Sequence, residues 1–515
     1  MTHNAKEPDL RGSSFTDSRS GLLPATQRAL LHRIAKGQAD GRLPSLAAGV
    51  MRDGAQAWFA ARGTVDGAAP TADTQYRIGS MTKMFVALAV MRLRDEGHLR
   101  LNDPLGHHMP AAGIGDLRIG ELLAHTSGLA SDSAGPWWER SPGDLRPEPS
   151  DVLGHNALRH PPGRRFHYSN VGFAMLGALV GKLRGQPWND VVRDEILNPL
   201  GMSRTSVTPQ PPYATGWAVH PWADLLLREP VLDAGLMAPA GQFWSTTGDL
   251  CRFAAFLGNG ASEVLSSESL EEMREPAAPG ACSDRVVGYG LGFQIMWSGD
   301  HMIYGHCGSV PGFISGLWVS DDGVGALALA NATSEYAVGA VASDLIAIVQ
   351  EHEPAIPPEW RALPEVDQAV LSLAGAWYWG PTPQILRVHA NNELSLTSLA
   401  SDEVPARFRP TAEGTWTGSN GYHAGETLHV VTRPDGTLSH LSVGALVYTR
   451  EPYDDSVPIP GGVDSEGWRS GWLAASNRHE ITAAPQGAGP DVTPTVPGRT
   501  ALAPGSLRAA RGSRQ

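Results

Sequence analysis

The chain has 515 residues, 42% of them hydrophobic, with 53 acidic against 40 basic side chains and a formal net charge of −13. That length accommodates two or three domains with sizeable cores. The acidic balance, with no Lys/Arg-rich cluster to offset it, argues against a nucleic-acid partner.

Residues 1–22 are predicted to be disordered. The first twenty are polar and charged without an apolar run, so neither a secretory signal nor a membrane helix is expected, and cytoplasmic residence follows. Cys251, Cys282 and Cys307 are odd in number and widely spaced, as reduced thiols would be. An amphipathic helix is predicted over 25–36, then a hairpin of 46–51 and 57–60 around Asp53-Gly54.

Ser80-Met81-Thr82-Lys83 follows, at the start of the apolar run 84–91, which reads as a helix buried nearly all round. Residues three apart share a helix face, so Lys83 can reach the Ser80 hydroxyl. Burial and the positive end of the helix both disfavour an ammonium there. A neutral Lys83 is a base, and Ser80 beside it an activated nucleophile.

A mostly helical, loop-rich stretch extends to about residue 257. It contains Leu122-Leu123-Ala124-His125-Thr126-Ser127-Gly128-Leu129, then Phe166-His167-Tyr168-Ser169-Asn170 ahead of an apolar helix over 171–183, then Pro199-Leu200-Gly201-Met202. Trp137-Trp138 and Trp244 read either as walls of an acyl pocket or as core and loop packing. His107-His108 lacks metal-ligand spacing, so neither a metal nor a cofactor is expected. Strand patterns return over 289–297, 301–306, 313–320 and 324–331, the second carrying Tyr304-Gly305-His306-Cys307-Gly308, and a helix over 337–350 closes the domain. Cys307 reads as a small buried side chain.

With four ordered motifs in place, the chain resembles the penicillin-recognising serine hydrolases, nearest the class C β-lactamase and D-aminopeptidase branch, over residues 23–352. The resemblance implies an α/β (α+β) fold: a β-lactamase/transpeptidase-like antiparallel sheet built from both ends of the domain, with a helical insert. It implies an acyl-enzyme on Ser80, with Lys83 as base, Tyr168 relaying a proton, Asn170 orienting Lys83 and substrate, and His306 contacting substrate or the Tyr168 hydroxyl. The oxyanion donors would be the backbone N–H groups of Ser80 and Ser309, with Gly308 beside them. A His-x-Gly third motif points away from a dedicated β-lactamase, and the segment of His125 and Ser127 is expected to be a structural turn.

Residues 353–370 read as a Pro-rich linker. Residues 371–453 show short alternating strands over 375–379, 384–389, 393–397, 414–417, 428–432, 438–443 and 446–449, the pattern of a small up-and-down barrel. It resembles the lipocalin-like domain of some D-aminopeptidase-type relatives. Arg450 at its end is a candidate fork for a substrate carboxylate. Residues 454–515, rich in Gly, Pro, Ser and Ala, are predicted to be disordered.

The expected substrate is a peptide or a peptidyl thioester or ester, free or presented by a carrier protein, with no nucleic acid or membrane partner. The leading expectation is a penicillin-binding-protein-type thioesterase that releases and cyclises a nonribosomal peptide. A hydrolytic D-aminopeptidase, D-peptidase or esterase is the alternative, and a β-lactam sensor that is acylated without turnover a third.

Overall fold

A computed structural model describes residues 21–452, apart from 111–112, 136–137, 141–147, 232, 262, 280–285, 335, 358, 364 and 402–403. Trp137, Cys282 and nearly all of both predicted disordered ends lie outside the described residues; Leu22 is inside them and buried. The chain divides into two compact units between Pro357 and Pro358.

In the first unit the two strands that follow the opening helix Pro24–Asp40 join the edge of a sheet made by later segments. The order across it is Ala55–Gly63, Ser45–Arg52, Gly325–Ala330, Phe313–Ser320, His301–Val310, Gln294–Ser298, Val286–Tyr289, Ala278–Pro279. Each neighbour is antiparallel. Alternate side chains serve two cores. Leu46, Ala48, Val50, Trp318 and Ala328 face the helices Pro24–Asp40 and Val338–His352. Ala47, Met51, Leu317, Val319 and Leu329 join a larger core with the helices Thr82–Asp95, Asn170–Arg184 and Thr247–Asn259. Burial on both faces is why these strands read as unbroken apolar runs.

Two boundaries differ from the sequence expectation. The run 289–297 is two strands, Val286–Tyr289 and Gln294–Ser298, separated by a turn at Gly292 with φ +90°. The strand predicted to end at His306 continues to Val310, which carries Gly308 and Ser309 along with it.

The second unit is an eight-strand meander, each strand antiparallel to the next, from Gly375–Trp379 to Leu446–Tyr448. Tyr378 and Thr449 exchange backbone hydrogen bonds of 2.8 and 2.9 Å, which nearly closes it into a barrel. Trp377, Leu386, Phe408, Leu428 and Leu441 fill the interior. Sequence reading missed one strand, Ala406–Pro410, where Arg407 and Arg409 flank Phe408, the one fully buried residue.

Arg450 closes the barrel and is corrected here as a substrate-binding candidate. Its Nη1 donates to the carbonyls of Ala374 and Ala376 at 3.1 and 2.9 Å, its Nη2 donates to the carbonyl of Ser372, and the guanidinium lies 4.0 Å from the Trp377 ring centroid. A fork spent on three carbonyls has few donors left for a carboxylate.

Candidate active site

Two glycines set the position of Ser80. Gly79 has φ +54°, and a Cβ there would stand 2.8 Å from the backbone nitrogen of Ser309. A Cβ on Gly308 would stand 1.9 Å from the carbonyl oxygen of Ile78. Only glycine permits this approach, which lays the 3₁₀ turn Gly79–Met81 against the strand His301–Val310. Ser315 Oγ donates to the Ile78 carbonyl at 2.9 Å, Thr82 Oγ1 donates to Gly79 O at 2.7 Å and accepts from Phe243 N at 3.1 Å. The turn is held at both ends, and the Ser309 N–H borders it.

Lys83, fully buried in the first turn of the helix Thr82–Asp95, has three oxygen neighbours. Its Nζ lies 3.0 Å from Ser80 Oγ, 2.8 Å from Asn170 Oδ1 and 2.7 Å from the Ala240 carbonyl. The last two can only accept. A neutral amine has two N–H bonds and one lone pair, so with both carbonyls served the lone pair is left for the Ser80 hydroxyl. Burial pushes the Lys83 pKa down to about 7, and the charges of Asp132 and Glu139 oppose that shift.

The loop 125–131 places Tyr168 and Asn170. His125, itself at φ +56°, accepts the Ser169 N–H on Nδ1 at 3.1 Å, and Asn170 N–H donates to Ser131 O at 2.8 Å. Ser169 caps the helix Asn170–Arg184, accepting from Gly172 N at 3.0 Å. The Tyr168 ring is 4.9 Å from Lys83 Nζ and packs, tilted by 38°, 4.3 Å from the His125 ring. Its hydroxyl is buried, has Ser80 in reach without a regular hydrogen bond, and is held protonated by burial, which raises its pKa.

The structure therefore brings Ser80, Lys83, Tyr168, Asn170, Gly308 and Ser309 together. His306 is buried beside them but turned elsewhere: Nδ1 bonds the Cys307 carbonyl, and Nε2 lies 3.1 Å from the Tyr289 hydroxyl, with the Tyr168 ring 6.1 Å away. Of the two contacts expected of His306, with substrate or with the Tyr168 hydroxyl, the second is not made, and Nε2 meets Tyr289 instead. Trp244 is corrected to core packing, fully buried with its ring edge-on to Phe313 and Tyr213 at 5.1 and 5.8 Å. Trp138 is likewise buried, and its Nε1 donates to Asp132.

Sequence reading missed Tyr289 and the Ala240 carbonyl. The first stood in plain view between Gly288 and Gly290, a pair that marks a strand end. The second is a backbone atom, which no side-chain pattern announces. Among the described residues one cluster offers metal ligands, His301, Asp321 and Asp322, with ligand atoms within 4.8 Å of one another. It begins the strand that ends near Ser309, roughly 25 Å away at the usual rise per residue.

A family profile described as Beta-lactamase matches residues 30–351. The chain belongs to the β-lactamase family of serine hydrolases. Residues 366–450 match a domain of unknown function, DUF7586. The β-lactamase-family chain is 32% identical over 302 residues to Penicillin-binding protein 4 of Amycolatopsis lactamdurans, 54% of this chain and 75% of that protein. A D-stereospecific amidohydrolase from Streptomyces sp. superposes with a TM-score of 0.51 at 26% identity, covering 64% of this chain and 98% of its own. Two structures of lower sequence identity share the fold. D-amino acid amidase from Ochrobactrum anthropi SV3 has a TM-score of 0.56 at 22% identity, covering 64% and 99%. SurE, also crystallised with D-Leu, has a TM-score of 0.51 at 23% identity, covering 83% and 99%. No helix among the described residues is long and apolar enough to cross a membrane.

Proposed function

We propose that this protein is an acyl-transfer enzyme in which Ser80 takes an acyl group of D configuration from an amide, ester or thioester and passes it to water or an amine. The observation that carries the reading is the Lys83 amine, fully buried and placed so that two carbonyls fix its N–H bonds and its lone pair meets Ser80.

As Ser80 Oγ bonds the substrate carbonyl carbon, its proton passes to Lys83 Nζ. The carbonyl oxygen becomes negative beside the N–H groups of Ser80 and Ser309, dipoles fixed before the reaction by the glycine contacts. Tyr168, kept protonated by burial, gives its proton to the leaving nitrogen, oxygen or sulfur and is reprotonated from Lys83. The acyl-enzyme is resolved by the reverse sequence, Tyr168 and Lys83 taking a proton from the incoming water or amine.

The D configuration is supported by the names of the related amidohydrolase and amidase, and hydrolysis of D-residue amides or peptides is the reading they favour. Cyclisation of a peptidyl thioester, with the peptide's own amine as acceptor, is the second reading. It rests on the pairing of the catalytic unit with a second, barrel-forming unit. In that reading the substrate arrives on a carrier protein or as a free thioester.

Ser80→Ala should reduce turnover of p-nitrophenyl acetate by at least about 10³-fold, and a fluorophosphonate should add one mass equivalent to the wild type and none to the variant. An adduct on another residue ends the Ser80 assignment. Paired D- and L-phenylalanine amides, and a linear peptide thioester with a C-terminal D-residue, then separate the readings by mass spectrometry. D-selective amide cleavage supports hydrolysis, a ring supports cyclisation, and preference for the L-amide and L-thioester overturns the assignment of configuration.

A further inference from the structure

The Tyr289–His306 contact has a direction that can be worked out. The Cys307 carbonyl can only accept, so His306 Nδ1 carries the ring proton and Nε2 is bare. Nε2 must then accept, and the Tyr289 hydroxyl, 3.1 Å away, donates to it. On the other side of Tyr168 the tautomer is opposite. His125 Nδ1 accepts the Ser169 N–H, so its proton sits on Nε2, which is buried without a partner. The Tyr289 ring lies between the two imidazoles, 4.7 Å from His125 and 5.9 Å from His306.

We propose that Tyr289 is a positioning residue for the acyl transfer: its hydroxyl, donating to the Nε2 that the Cys307 carbonyl leaves bare, holds the neutral His306 ring at its second end and so fixes the wall that His306 forms beside Tyr168 and Lys83. The inference rests on the proposed reaction for its consequence but not for its geometry. The groups facing His306 are Tyr289 from its own strand end, Lys83 from the helix Thr82–Asp95, Tyr168 and His125 from the insert, and Cys307 on the same strand. Of these only Lys83 can be charged near neutral pH. Burial and the Lys83 charge push the His306 pKa down to about 3, and burial holds the Tyr289 hydroxyl protonated.

Without the Tyr289 hydroxyl, the Cys307 carbonyl still keeps the proton on Nδ1, but Nε2 is left buried without a donor and the ring is held at one end only. A ring free to shift moves the surface against which Tyr168 packs, and the aim of the Tyr168 hydroxyl at the leaving group loosens.

The test is long-range ¹H–¹⁵N correlation of histidine-labelled protein, with His306→Gln identifying the His306 signals by their loss. Wild type should show His306 as an Nδ1–H imidazole that does not titrate between pH 5 and 8. In Tyr289→Phe, which removes one buried oxygen and keeps the ring, the bare Nε2 should lose its hydrogen-bond shift while the proton stays on Nδ1. For p-nitrophenyl acetate, kcat should fall about tenfold with KM within about twofold, the loss of one hydrogen bond felt at the transition state. An Nε2–H tautomer in wild type, or identical His306 spectra and kcat in Tyr289→Phe, overturns the proposal. If the predicted spectra are found in a protein that turns over no acyl substrate, the proposed function fails and the Tyr289–His306 bond stands.

Discussion

The pH dependence of acylation follows from where Lys83 sits. Its pKa falls from 10.5 to about 7 because burial strips the ammonium of water, a bias against the charged form of about 5 kcal/mol. The base must be neutral to accept the Ser80 proton, so activity is gained as pH rises through about 7. Roughly half of the enzyme is competent at pH 7 and about 1% at pH 5, so kcat/KM should fall about 50-fold between them. The limb should be single. His306, at about 3, and His125, driven well below its ordinary value, stay neutral across this range, and Tyr168 stays protonated. The assay is kcat/KM for p-nitrophenyl acetate from pH 5 to 9, read at the isosbestic wavelength of the product. Lys83→Arg supplies the control: a guanidinium stays protonated, so the variant should lose at least about 10³-fold in rate and show no limb. A profile flat from pH 5 to 8, or a Lys83→Arg enzyme with a large share of wild-type turnover, would refute Lys83 as the base.

Asp132 holds Lys83 toward its charged form, so Asp132→Asn should lower the Lys83 pKa and move the acid limb of kcat/KM to lower pH; movement upward would contradict the electrostatic account. Gly308→Ala puts a methyl where only 1.9 Å separates it from the Ile78 carbonyl. It should reduce kcat by about 100-fold or more and lower Tm, as overpacking by about 1–3 kcal/mol does. Arg450→Ala should destabilise the barrel by roughly 1–3 kcal/mol in urea while leaving kcat/KM for p-nitrophenyl acetate and for a C-terminal-carboxylate peptide unchanged; a rise in KM confined to the carboxylate substrate would restore Arg450 as a binding residue.

What the sequence made legible was governed by local rules. Ser80 and Lys83 are three residues apart on one helix, so their meeting is a matter of helical geometry. Tyr168 and Asn170 flank an N-cap serine, a signal that places them at a helix start. The meander of the second unit was readable from alternation and turn residues, except where Arg407 and Arg409 left Phe408 as the one large apolar residue of its strand. Length was a weaker guide. A strand with glycines at 305 and 308 offers few β-formers, and its continuation to Val310 is set by pairing with Phe313–Ser320.

The residues that escaped sequence reading share a physical cause: their roles depend on which atom faces which, across segments far apart in the chain. His306 was recognisable by its motif, yet its tautomer is decided by the carbonyl of the next residue and its other nitrogen is held by a hydroxyl 17 residues away. The same holds for Lys83. Its spacing from Ser80 shows that the two can meet, but the direction of its lone pair is fixed by the Asn170 amide, 87 residues on, and the Ala240 carbonyl, 157 residues on. A motif names the groups capable of proton transfer, and the donors and acceptors around them decide which way each proton can go. That is why Tyr289, absent from every motif, has the more specific prediction attached to it than His306, which the motif supplied.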